Sequence, residues 1–169
     1  MFLSAPTSLF HQRAATFLAL AMAAVVGTAL AFQYVGGYLP CKLCLEQRWP
    51  YYFGAPLMAL AAFSAWRNLS NTLTRALLII GAAMMGYGLY LGIYHAGVEW
   101  AFWPGPTDCA AVATKIETEA GNLLDAINAT HPPSCNVAAL RILGLSMAGW
   151  NVIASAILMT VAIRSAVRP

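Results

Sequence analysis

The chain has 169 residues, 60% of them hydrophobic and only 9% charged, with a formal net charge of +3 and a mean hydropathy of +0.68. A water-soluble domain carries about 25% charged residues, so the composition excludes an ordinary soluble globule and points to a chain embedded in lipid. The small positive charge has no basic cluster behind it, which argues against nucleic acid as a partner, and the length suits one membrane domain spanning residues 1–169.

Four apolar stretches follow one another at about 14–34, 50–66, 76–94 and 143–163, and none contains Lys, Arg, Asp or Glu. A hydrocarbon core needs about 20 helical residues, with about 17 as the lower limit, and a charge at a helix centre costs about 2.5 to 3.5 kcal/mol. The sequence therefore predicts an all-α integral membrane protein, a four-transmembrane-helix bundle. Ala29-Leu30-Ala31 resembles a signal-peptidase site, which makes a cleaved signal peptide the rival reading of the first stretch. That run, however, is longer than the 7 to 15 apolar residues usual for such a segment.

The loops between the stretches carry the charge. Arg13, Arg67, Arg75, Arg164 and Arg168 fall on one side, whereas all six acids, Glu46, Glu99, Asp108, Glu117, Glu119 and Asp125, fall on the other with Lys42, Arg48, Lys115 and Arg141. By the positive-inside rule, both termini are expected in the cytoplasm and the loops at about 35–49 and 95–142 outside. Trp49, Tyr51, Tyr52, Trp100 and Trp103 are expected at the outer lipid boundary and Trp66 at the inner one. Gly88 and Gly92, four apart, read as helix-packing positions. In the second outer loop, Ile116, Ala120, Leu123, Leu124 and Ile127 recur at helical spacing among charges, which predicts a short amphipathic surface helix. Pro132 and Pro133 should stop it before Cys135.

All four cysteines lie in these outer loops: Cys41 and Cys44 as a Cys-x-x-Cys before the second stretch, Cys109 and Cys135 in the long loop. Thiols in this number and place suit an oxidising compartment. A two-residue gap closes too small a loop for a disulfide to add much stability, so Cys41 and Cys44 read as a redox pair. If the chain is helical there, both sulfurs lie near a helix N-terminus, which favours a thiolate. Arg48, one turn beyond Cys44, would stabilise that thiolate and donate to a quinone carbonyl. Pro50 must either kink this helix or begin it, and in the second case Arg48 lies in the lead-in turn. Thr107 or Asp108 could cap a helix whose first turn holds Cys109. A four-thiolate zinc site needs a second knuckle that the spacing of Cys109 and Cys135 does not supply, so no metal is expected. His11, His95 and His131 form no haem or metal set; His95, at the outer end of the third stretch, is a candidate cofactor contact, and Glu99 reads as surface charge.

Three segments together resemble the bacterial disulfide bond formation protein B family, DsbB. They are Pro40-Cys41-Lys42-Leu43-Cys44 with Gln47-Arg48, Tyr94-His95-Ala96-Gly97-Val98-Glu99-Trp100 leading through Phe102-Trp103 and Gly105-Pro106 to Cys109, and Leu143-Gly144-Leu145-Ser146-Met147-Ala148-Gly149-Trp150-Asn151. The resemblance implies an inner-membrane protein-disulfide:quinone oxidoreductase. A periplasmic thioredoxin-like protein of the DsbA type would deliver electrons to a Cys109–Cys135 disulfide. That pair would exchange with Cys41 and Cys44, and a ubiquinone or menaquinone, held by Arg48 and His95, would take the electrons. In that scheme Cys109 receives the partner's sulfur and Cys135 attacks Cys41. Asn136-Val137-Ala138-Ala139 departs from the family pattern in lacking an acid. Two rival readings are a quinone reductase resembling vitamin K epoxide reductase, where the motif usually lies late in the chain, and a non-catalytic scaffold with structural disulfides.

Overall fold

The structure, a computed structural model, describes residues 8–106 and 134–168. The expected surface helix, Cys109, His131 and the Pro132-Pro133 stop lie outside these residues. The elements are α1 (Leu9–Tyr34), α2 (Lys42–Glu46), α3 (Trp49–Trp66), α4 (Asn71–Glu99), β1 (Arg141–Ile142), β2 (Leu145–Ser146) and α5 (Met147–Val167). Among the described residues α1, α4 and α5 are long and apolar enough to cross a membrane. The 18-residue α3 is not among them; it opens on Trp49-Pro50-Tyr51-Tyr52, and Pro50 sits in its first turn. Pro50 thus begins α3 instead of kinking it, as its fixed φ and missing N–H favour, and Arg48 lies in the lead-in turn.

The helices pack in a ring, α1 on α3, α3 on α4, α4 on α5 and α5 back on α1. Residues at i, i+3 and i+4 turn inward: Ala15, Leu18 and Met22 of α1, Met58 and Ala61 of α3, Leu78, Ala82 and Met85 of α4, and Leu158 and Ala162 of α5 form one core. The outward faces are just as apolar, with Leu20, Leu60, Ile80, Ile93 and Ile157 exposed. A sheath of that kind is unfavourable in water and is what a lipid-facing surface needs. The chain is a membrane protein, mostly helical.

The two glycines of the third apolar stretch sit where α4 meets its neighbours. A Cβ on Gly88 would lie 3.2 Å from Ser155 Oγ of α5, and one on Gly92 would lie 3.0 Å from Val152 Cγ2. Any side chain there would push the helices apart, so both act as packing positions.

Two expectations are corrected. The fourth apolar stretch does not start as helix: Arg141–Ile142 and Leu145–Ser146 pair as a small antiparallel hairpin, with Leu143 (φ 52°) and Gly144 (φ 83°) as its two-residue turn. Two positive φ values give the turn a twist that matches the strands. Helix α5 starts only at Met147, where the Ser146 hydroxyl caps it by accepting the Gly149 N–H. Tyr51 is the second. It is buried in the bundle, not held at the lipid boundary, because its hydroxyl donates to Asn151 Oδ1 at 2.6 Å and meets Ser155 Oγ at 2.8 Å. Trp49, Tyr52, Trp66, Trp100 and Trp103 remain exposed.

Candidate active site

The site is built where α2 lies against the end of α4. Pro40 precedes Cys41, whose extended backbone (φ −75°, ψ 173°) starts the single turn of α2; its sulfur caps that turn by accepting the Cys44 N–H at 3.3 Å. The cap brings the two sulfurs together. Cys41 and Cys44 are free thiols, and Cys41 donates to Cys44 Sγ at 2.9 Å. Cys41 and Leu43 pack with Val98 of α4 and with Cys135, which is nearly fully buried and disulfide-bonded. The Cys41 and Cys135 sulfurs and a ring nitrogen of His95 all lie within 4.8 Å of one another. With Cys135 in a disulfide, this trio lacks a third free metal ligand.

Of the residues singled out in the sequence, Cys41, Cys44, Arg48, His95 and Cys135 meet in this region, and Cys109 lies outside the described residues. Their electrostatics divide the Cys-x-x-Cys. The hydrogen bond from Cys41 holds Cys44 below the usual thiol range, and the Arg48 cation adds to this, while burial and the Glu99 carboxylate oppose it. Cys41 is pushed up, first by donating its hydrogen bond to Cys44 and then by burial. Of the two, Cys44 therefore gives up its proton first and is the more readily activated sulfur.

A cavity of about 360 Å³ opens beside Cys44. Val25, Val26 and Phe32 of α1 and Met147, Trp150 and Ala154 of α5 make it mostly apolar, and Cys44, Gln47 and Arg48 supply its polar end. Arg48 is buried, with donors directed to Gln33 Oε1 and to the Ala29 carbonyl at 3.5 Å. Both of these acceptors are neutral, so the desolvated guanidinium is left to stabilise the Cys44 sulfur and would favour an electron-rich ligand beside it. A flat ring bearing carbonyl oxygens and an apolar tail, such as a quinone, matches this lining: apolar walls with a few polar groups at one end.

Several participants were not singled out from the sequence. Gln47 donates from Nε2 to the Leu43 carbonyl at 3.2 Å, and that same nitrogen lies 2.7 Å from His95 Nδ1. Asn151 Nδ2 donates to Gln47 Oε1 at 2.6 Å. Glu99, expected as surface charge, has a side chain only 4% exposed, with Oε1 3.8 Å from His95 Nε2. Asn151 and Ser155, four apart in an otherwise apolar span, were the available signal, since a polar side chain within a membrane helix tends to face the bundle and carry function.

A family model described as Disulfide bond formation protein DsbB matches residues 11–164. No curated protein and no solved structure matches the chain. The family match takes in the sulfur cluster, the cavity and most of each long helix among the described residues, and the chain belongs to the DsbB family of membrane oxidoreductases of disulfide bond formation.

Proposed function

We propose that the protein is a four-span thiol oxidase of the bacterial inner membrane, with both termini cytoplasmic and its cysteines periplasmic, that reoxidises a DsbA-like dithiol partner at the expense of a membrane quinone. The observation that carries this reading is the cavity lined by Cys44 and Arg48, next to a Cys41 sulfur within 4.8 Å of Cys135. In the proposed cycle a thiolate of the partner attacks Cys109 of the Cys109–Cys135 disulfide, and the electron pair leaves on Cys135. Cys135 then attacks Cys41 of an oxidised Cys41–Cys44 pair, forming a Cys41–Cys135 bond and releasing Cys44 as a thiolate. Each step is a thiol–disulfide exchange with no net oxidation. A bound quinone supplies the acceptor for two electrons and two protons. Arg48 would hold a ring carbonyl and favour negative charge on it, and His95, which also lines the cavity, would contact the same ring.

Two cysteine sulfurs 2.9 Å apart beside a cavity that Cys44 lines support this reading over a scaffold with static disulfides. Purified protein given a reduced thioredoxin-like donor and a soluble ubiquinone analogue should consume quinone, and Cys44→Ser should abolish that consumption. Quinone loss that persists in Cys44→Ser, or none with the unaltered protein, would contradict the proposal.

A further inference from the structure

Five hydrogen bonds run in one direction through the bundle to the reactive sulfurs. Tyr51 donates to Asn151 Oδ1, which leaves the Asn151 amide nitrogen to donate to Gln47 Oε1. Gln47 therefore presents its NH₂, an orientation that the Leu43 carbonyl fixes independently, because a carbonyl can only accept. That same Nε2 lies 2.7 Å from His95 Nδ1. With a donor facing it, Nδ1 must accept, and the proton of the neutral imidazole then sits on Nε2. Nε2 then faces Cys41 Sγ at 3.7 Å, with Glu99 Oε1 at 3.8 Å beside it, and Cys41 donates in turn to Cys44 Sγ at 2.9 Å.

We infer that Gln47 is a positioning residue: oriented by Asn151 and Tyr51, it fixes His95 with its proton on Nε2, so that every donor in the chain points toward Cys44. Hydrogen bonds aligned in this way polarise one another in a low-dielectric interior. No bond breaks along the relay and each proton stays on its donor. In the fully reduced protein Cys41 keeps its proton, and Cys44 is the terminal acceptor. Glu99 of α4 and Arg48 before α3 also face Cys44, with opposite effects, but neither sets the direction of the chain. The inference rests on the proposed role of Cys44 as the sulfur beside the electron acceptor, whereas its test does not.

The test uses the full chain in detergent, reduced and labelled with ¹⁵N-histidine, with the His95 resonances identified by their loss in His95→Asn. The unaltered protein should show a protonated Nε2 and a bare Nδ1 at neutral pH. In Gln47→Glu the carboxylate can only accept, so Nδ1 should gain a proton. Gln47→Met removes the donor without adding charge. In this variant the pH profile of Cys44 alkylation by iodoacetamide, read by peptide mass spectrometry, should move upward, slowing alkylation at neutral pH about twofold, as expected when the bond from Cys41 remains but loses the polarisation of the donors behind it. A protonated Nδ1 in the unaltered protein would overturn the inference, as would an unchanged alkylation profile in Gln47→Met. Protein that fails to consume quinone yet gives the expected spectrum would sink the oxidase reading and leave the relay standing.

Discussion

The bundle buries an arginine at each end, and the two are used differently. Arg75, at the end that carries most of the basic residues, has no exposed surface and donates to the Ala166 carbonyl at 2.6 Å. Ala166 lies in the last turn of α5, where carbonyls lack an intrahelical partner, so Arg75 ties α4 to the end of α5 and complements its dipole. Arg48, at the cysteine end, bonds only neutral acceptors on α1 and lines a cavity. Burial of a cation is common to both. What separates them is the open space beside Arg48 and the polarised sulfur next to it, which mark a binding site where Arg75 marks a joint.

The contrast breaks if the two positions respond alike. Arg75→Met should have the larger effect on stability: it removes a charged hydrogen bond to a helix-end carbonyl, which is worth about 2 kcal/mol. The midpoint of thermal unfolding in detergent should fall by several degrees, with the quinone KM unmoved. An unchanged midpoint would mean that the joint at α4 and α5 is held by packing alone. Arg48→Ala should do the reverse. Loss of one charge-assisted hydrogen bond should raise the quinone KM about tenfold, while thiol exchange with the partner at Cys109 and Cys135 continues and the midpoint shifts less than for Arg75→Met. Arg48→Lys should recover part of the affinity, because an ammonium keeps the charge but lacks the planar fork. Equal quinone kinetics in Arg48→Ala and the unaltered protein would remove Arg48 from the site.

Much of the cysteine end was legible in the sequence because its signals are local. Cys-x-x-Cys, the arginine one turn on, and the segment around His95 each carry their meaning within a few residues, and the apolar stretches mark the helices by length. The relay was not legible. Gln47 and Asn151 are 104 positions apart, and only closure of the bundle, with the turn before α3 laid against α5, brings such residues into contact. Tyr51 misled for a related reason. An aromatic with a polar tip beside Trp49 and Tyr52 suits a lipid boundary, but helix periodicity turns Tyr51 inward while its neighbours face out. Glu99 likewise reads as surface charge until the hairpin before α5 and the turn of α2 are in place around it. The hairpin itself was hidden in an apolar stretch whose first residues, Leu143 and Gly144, look like span residues by hydropathy alone.

The central claim is that electrons pass between Cys135 and Cys41, and it can be tested without a partner or a quinone. In a Cys44→Ala, Cys109→Ala double variant, Cys41 and Cys135 are the only sulfurs left to pair, and their atoms start within 4.8 Å of each other, close enough to move to disulfide distance. Mild oxidation of this variant in detergent should join them quantitatively within one chain, seen as a reduction-sensitive Cys41–Cys135 cross-linked peptide by mass spectrometry. Two free thiols, or disulfides formed only between separate chains, would contradict the account.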